Sequence, residues 1–341
     1  MSFTSEEHAK PKSFGVWPLE FNSSSCVGQG LITNATDYVW ISCTTSLHRG
    51  RILRNEQRAP VSVTIELSNR DALDGPRSLN PDYGHIGDGD YVVSPSTGEH
   101  EIWFGLEDGE WPRRANAAVV RYDSSTLEYK GVHIHPSLKY LAWLAYDPTH
   151  QRAYGSEWEG VEELSVFDAN QMNWSNETIR IDNIPSDSNI TNASGINYIQ
   201  GADVKDDILY LMTDDFKSSL FLLELQKYKT TVVDVQHLGL GNEREGIAIL
   251  DSYLFSFGNR WRTWENISFA QVLCLPLFFD GYNYGPVPLI PYRSVNDRII
   301  SFSAGSSFGL LFSILLVCLW QKRKDSNTRI AGGGATQYDI V

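Results

Sequence analysis

From residue 28 to residue 276, short apolar runs alternate with clusters of Gly, Asn, Asp, Ser and Pro. Outside the C-terminal region no long stretch carries apolar residues at helical spacing, so the pattern predicts strands. The runs repeat. DYVWISCTTS from Asp37, HEIWFGLEDG from His100, QRAYGSEWEG from Gln151, DILYLMTDDF from Asp207 and DSYLFSFGNR from Asp251 align. Each places a large apolar residue fourth: Trp40, Trp103, Tyr154, Tyr210 and Leu254. A first strand precedes each: GQGLITN from Gly28, HIGDGDYVV from His85, LAWLAYD from Leu141, IQGADV from Ile199 and EGIAIL from Glu245. A third follows: RILRN from Arg51, AAVVRYD from Ala117, ELSVFDA from Glu163, SLFLLEL from Ser219 and FAQVLCL from Phe269. Fourth strands are weaker, with VSVTIEL from Val61, EYKGVHI from Glu128, ETIRIDN from Glu177 and TTVVDVQ from Thr230.

A four-stranded antiparallel unit recurring every ~45–60 residues cannot bury both of its faces alone, and stacking such units around an axis solves the problem. The expected fold is all-β, a β-propeller of five four-stranded blades, with a sixth open if residues precede the start. The last blade lacks an outer strand, which FGVWPLE from Phe14 can supply to close the ring. Residues 1–13 then form an N-terminal extension and 14–290 the propeller, while the polar stretches 69–84 and 182–195 read as surface loops.

The end of the chain breaks the pattern. Residues 299–320 carry no charge, and at 1.5 Å per residue they make about 33 Å of helix, enough to cross a bilayer. Trp320 and the following Lys322, Arg323 and Lys324 mark an interface and a basic stop, and 321–341 reads as a short disordered tail. The expectation is a single-pass transmembrane helix. The basic bias after the span places the tail in the cytoplasm and the large N-terminal domain in an extracellular or lumenal space. Residues 1–25 show no apolar signal run, so this topology expects a missing signal peptide, and a tail anchor with a cytosolic domain is the other arrangement. Glycosylation triplets at Asn22, Asn34, Asn173, Asn176, Asn189, Asn192 and Asn266 all precede the span. In an oxidising compartment Cys26 and Cys43 can pair; otherwise all four cysteines are free thiols.

Composition narrows the function classes. The 341 residues carry 28 Lys plus Arg against 42 Asp plus Glu, a net charge of −14, which argues against nucleic acid as a partner. The four cysteines show no CxxC spacing, which excludes most zinc modules.

Propeller topology turns the repeats into a site, because strand-one starts and strand-two ends reach the same face. Those positions gather Gln29, His85, Asp88, Gln200, Asp203, Arg244 and Glu245 with Glu107, Asp108, Glu157, Asp214, Asp215 and Asn259. Such a ring either hydrogen-bonds the blade loops together or holds a cation or small ligand. Oxygen donors from separate blades suit Ca²⁺ better than Mg²⁺; Glu157, Asp214, Glu245 and Asn259 are the candidate ligands and His85 the candidate acid/base group. His133 and His135 share one strand face but read as surface residues, and Trp158, Trp261 and Trp264 could form an aromatic platform or pack as anchors.

The strand-one starts HIGD, IQGAD and REGIA resemble blade openings in lactonase-, strictosidine-synthase- and NHL-type propellers. The resemblance covers roughly residues 14–290 at the level of architecture. It implies a central channel that often holds Ca²⁺, at positions comparable to Glu157, Asp214, Glu245 and Asn259. Two functions follow as expectations: a membrane-tethered ectodomain binding a protein or glycan through one face, or a Ca²⁺-dependent hydrolase of a lactone or ester.

Overall fold

The computed structural model describes residues 17–19 and 26–276 apart from short interruptions, with side chains described as far as Ser256. The chain divides into two units, Met1–Gly285 and Pro286–Val341, and every described residue belongs to the first. The expected extension 1–13, membrane span 299–320 and tail 321–341 lie outside the described residues. Among the described residues no helix is long and apolar enough to cross a membrane.

Strand β1 (Trp17–Leu19) comes first in the chain but last in its sheet. Blade one follows with β2 (Gly28–Thr33), β3 (Tyr38–Cys43), β4 (Leu47–Arg54) and β5 (Pro60–Asn69). A single helical turn, α1 (Asp74–Arg77), leads into blade two. That blade contains β6 (Tyr83–Val93), β7 (His100–Asp108), β8 (Ala118–Asp123) and β9 (Tyr129–Ile134). Blade three is β10 (Ala145–Asp147), β11 (Arg152–Gly155), β12 (Glu163–Asp168) and β13 (Asn173–Asp182). The small hairpin β14 (Thr191–Asn192) and β15 (Gly195–Ile196) connects it to blade four. Blade four is β16 (Ile199–Lys205), β17 (Ile208–Thr213), β18 (Ser219–Leu225) and β19 (Lys229–His237). Blade five is β20 (Glu243–Leu250), β21 (Tyr253–Arg262) and β22 (Ile267–Pro276), completed by β1. The pairing Trp17↔Cys274 brings the first strand beside the last, so the ring is closed by main-chain hydrogen bonds between distant segments.

The aligned fourth positions of strand two explain the packing. Trp40, Trp103, Tyr154, Tyr210 and Leu254 are each between 0 and 3% exposed, so the repeat is a record of what each blade buries against its neighbour. Buried indoles find acceptors: Trp40 Nε1 donates to Ser124 O at 2.8 Å, and Trp103 Nε1 to Glu101 Oε2 at 2.6 Å. The loop Asp206–Asp207 between β16 and β17 takes two positive φ values, 53° and 62°, the geometry that matches a two-residue hairpin to strand twist.

One edge contact departs from simple blade stacking. The outermost strands β13 and β19 pair in parallel, Ile181↔Thr230, joining blades three and four into one eight-stranded sheet. Both edges thereby satisfy main-chain groups that would otherwise face solvent.

The axis is closed. A methyl group placed on Gly246 would lie 2.7 Å from Gly30 Cα, and one on Gly201 would lie 2.7 Å from Gly246 Cα. The inner strands of blades four, five and one therefore touch backbone to backbone, which only glycine allows. Asp88, on β6, fills what remains. Its carboxylate accepts from Leu31 N at 2.7 Å, Ala202 N at 3.0 Å and Ile247 N at 3.2 Å, while its own N–H donates to Ala142 O at 2.7 Å. One residue thus bonds to the inner segments of all four other blades. The expected open channel is corrected here: backbone and one carboxylate occupy it at this level.

Candidate functional site

Three inner strands carry the same irregularity. Register shifts fall between Gly28 and Gly30, Ile199 and Gly201, and Arg244 and Gly246, leaving Gln29, Gln200 and Glu245 as the extra residues. Each precedes a glycine of the closed axis. A β-bulge re-aims a side chain, and here the tight glycine contact below it explains why the bulge recurs at equivalent places.

The rim around these bulges is stitched together across the blades. His85 Nδ1 meets Glu107 Oε1 at 2.6 Å, and His85 Nε2 meets the Gln29 side-chain amide. Glu107, 2% exposed, turns its other oxygen to Leu141 N at 3.2 Å. Glu157 Oε1 accepts from Lys139 N at 2.9 Å. Next to it Trp158 packs edge-on to Tyr198, ring centroids 5.1 Å apart, and Trp158 O accepts from Tyr198 N at 2.7 Å. Tyr198 sits at φ 62°, a conformation that costs a bulky residue about 1 kcal/mol or more and persists only under outside constraint. Its carbonyl accepts from Asp214 N at 2.7 Å, and Asp214 Oδ1 accepts from Arg244 N at 3.3 Å. The arc runs from blade one through blade five.

Arg244 is the outlier. It is 1% exposed, yet among the described residues Nε and Nη1 have no hydrogen-bond partner. Burial lowers its guanidinium to about 10, with the Asp214 charge acting the other way. Arg49 and Arg121 each leave only Nε unpartnered, and their terminal nitrogens hold Ser125 O and Glu101. The indole Nε1 of Trp158 is also buried without a partner among the described residues. Unsatisfied donors in a folded chain call for an acceptor, from water or ligand.

Below the rim lies an acidic layer. Burial pushes the Asp88 carboxyl well above the usual carboxylate range against four backbone N–H groups that favour its ionised form. Asp90 is raised the same way, first by burial and then by the charge of Asp203. Burial pushes Asp203 up to about 7; its Oδ2 accepts from Ile249 N at 2.5 Å. Asp88 and Asp203 read from the sequence as mouth residues, but both bind backbone between inner strands.

The other expected positions resolve as follows. Asp108 Oδ2 holds Arg114 N at 2.7 Å, and Asp215 Oδ2 accepts from Thr213 Oγ1 at 2.8 Å. Of the candidate calcium ligands, Glu157 and Asp214 each accept a backbone N–H, Glu245 is buried at its bulge, and the side chain of Asn259 lies outside the described residues. Among the described residues, the acid, Cys and His groups with ligand atoms within 4.8 Å of one another are Cys26–Cys43–His48 and Asp147–His150–Asp207. The first is spent on a disulfide, since Cys26 and Cys43 are bonded with Cα atoms 5.2 Å apart. His133 and His135 are corrected from surface residues. His135 is buried, its Nδ1 accepts from Ser137 N and Leu138 N, and burial lowers both imidazoles to about 4. Trp264 and the side chain of Trp261 lie outside the described residues, as do the side chains of Asn22, Asn189, Asn192 and Asn266. Asn173 and Asn176 are exposed on β13, whereas Asn34 Oδ1 is engaged by Tyr38 N at 3.2 Å. Sequence reasoning missed Tyr198; its only signal was a place just before a strand-one start.

The sequence matches no protein-family model and no curated protein. Among solved structures, an exo-β-1,3-galactanase from Clostridium thermocellum matches at 14% identity and TM-score 0.49, over 78% of this chain and 63% of its own. An exo-β-1,3-galactanase from Phanerochaete chrysosporium matches at 13% and 0.49, over 82% and 64%. A GH43_1 enzyme from Xanthomonas citri matches at 9% and 0.47, over 76% and 89%. The chain thus spans under two thirds of the length of either galactanase. The propeller assignment rests on the sheet order and inner-strand packing described above.

Proposed function

We propose that this protein is a glycan-binding propeller that engages its ligand at the rim formed by strand-one starts and strand-two ends. The observation that carries the reading is Arg244, a buried guanidinium with two nitrogens lacking acceptors among the described residues, within an arc drawn from all five blades. Sugars present what that arc lacks and offer what it can use. Their hydroxyls accept from a guanidinium or indole N–H and donate to Glu and Gln oxygens, and their C–H faces stack on an aromatic pair such as Trp158 and Tyr198. In this reading the segment 299–320 tethers the binding domain to a membrane, with the rim presented outside the cell or in a lumen. Full-length protein on a glycan array tests it: the expected result is a cluster of related saccharides retained by the wild type and lost in Arg244→Met. Absence of any retained saccharide refutes it.

A second reading, hydrolysis, is favoured by the 2.6 Å pair of His85 and Glu107. A carboxylate on Nδ1 orients the ring, and Nε2, held by the Gln29 side chain, becomes an acid/base group when a substrate displaces that amide. Glu157, Asp214 and Glu245 do not form one of the close acid groups among the described residues, so this route is argued from His85 and Glu107. Turnover of an ester, lactone or glycoside that disappears in both His85→Gln and Glu107→Gln supports hydrolysis; binding without turnover rejects it.

A further inference from the structure

One ladder step outward from the His85↔Glu107 pair, Tyr83 pairs with Asp108, and beside them a cleft of about 310 Å³ opens. Its walls are Arg77, Asp82, Tyr83, Asp108 and Arg114, and Gly84 and Gly109 meet in its floor. A methyl on Gly84 would lie 2.7 Å from Gly109 Cα, so the two main chains touch and leave space above them. The cleft adjoins the proposed glycan rim, because the same two strands supply both and successive residues rise only ~3.4 Å.

Its charges are unevenly committed. Asp108 Oδ2 is held by Arg114 N at 2.7 Å and Ala115 N at 3.2 Å, which turns that oxygen towards its own loop. Arg77 spends only Nε, on Tyr83 O at 2.8 Å, and its terminal nitrogens have no partner among the described residues. The Arg114 guanidinium has none either, although its carbonyl anchors Lys139 Nζ at 3.0 Å. Beside Asp82 and Asp108, two arginines face one cleft without a carboxylate in ion-pair contact among the described residues, in a chain of net charge −14. Guanidinium forks match a planar carboxylate bidentately, and exposed Asp82 remains to accept sugar hydroxyls.

We infer that this cleft is a subsite for the carboxylate of a uronic acid, so that the ligand of the rim is an acidic saccharide. The inference rests on the glycan-binding reading and names its ligand class.

Titration calorimetry on the full-length protein decides it, with α-1,4-trigalacturonate and its carboxyl-reduced neutral counterpart as probes. Wild type is expected to bind the uronate at least tenfold more tightly than the neutral trisaccharide. Arg114→Gln, an exposed change with no folding role, is expected to erase that preference and leave neutral binding unchanged. Arg77→Lys, which keeps the charge but loses the fork, is expected to reduce it. Equal binding of the two probes, or a preference that survives Arg114→Gln, overturns the subsite and leaves glycan binding standing. Failure of both probes, with no saccharide retained on an array, overturns subsite and glycan reading together.

Discussion

Asp88 Oδ1 accepts the main-chain N–H of Leu31 at 2.7 Å across 57 residues of sequence, tying the inner strand of blade two to that of blade one. With the bonds to Ala202, Ile247 and Ala142, this makes Asp88 the hub at which five blades are referenced to one another.

Replacing Asp88 by Asn tests the hub with almost no change in volume. The amide offers one acceptor where the carboxyl offers two, and its NH₂ would confront buried N–H donors. Leaving such donors unsatisfied costs about 1–3 kcal/mol each, so Asp88→Asn is expected to lose at least that much in urea unfolding. A change below about 0.5 kcal/mol, typical of neutral surface substitutions, would contradict the role.

Asp203 gives a pH signature. Its folded-state value, raised to about 7 by burial, exceeds the unfolded value near 3.9, so the native state holds the extra proton. Its contribution is complete below pH ~4 and is lost as pH rises towards ~7, by at most about 1.4 kcal/mol per pH unit. Asp203→Asn keeps the acceptor for Ile249 N and cannot ionise. Chemical denaturation at pH 5 and pH 8 should show the variant gaining on the wild type at the higher pH. An unchanged difference at the two values would oppose this.

His135 works in the opposite direction. Burial depresses its imidazole to about 4, below the unfolded value near 6.5, and protonating Nδ1 breaks the bonds from Ser137 N and Leu138 N. Stability from this group is present above pH ~6.5 and is lost as pH falls towards ~4. Asn supplies a comparable non-titrating acceptor, so His135→Asn is expected to flatten the acid limb of the thermal stability profile. A limb as steep as in the wild type would place the acid sensitivity elsewhere.

Topology has its own test. An outside or lumenal propeller presents Asn173 and Asn176, exposed on β13, to the glycosylation machinery. Expressed with its native N-terminus, the protein is expected to lose mass on endoglycosidase treatment, and less in Asn173→Gln/Asn176→Gln. An unglycosylated product in a secretory host would instead favour the tail-anchored arrangement.

The propeller was legible because its blades repeat a burial requirement: one large apolar residue four places into strand two, interior in every blade. Closure by the residues around Trp17 was legible because the last repeat lacked a partner strand. What escaped depended on details finer than a strand. The bulge at Gly87–Asp88 moves Asp88 from the rim to the axis, and a register shift of one residue leaves no compositional trace. The parallel β13–β19 contact joins outer strands whose apolar pattern is weak. The arginine cleft needed the loop after β5 to fold back beside β7, a long-range placement that Arg77 and Arg114 do not announce. His135 looked exposed because the Pro136 that follows it reads as a loop, yet its ring packs 4.5 Å from Trp174.

The most direct test of the account is the affinity of the best array saccharide for full-length wild type, Arg244→Met and Val93→Ser, measured side by side. Val93 is exposed at the far end of β6, on the opposite rim. The account predicts that Arg244→Met weakens binding tenfold or more while Val93→Ser binds as the wild type does. Unaltered affinity in Arg244→Met, or a loss confined to Val93→Ser, would contradict it.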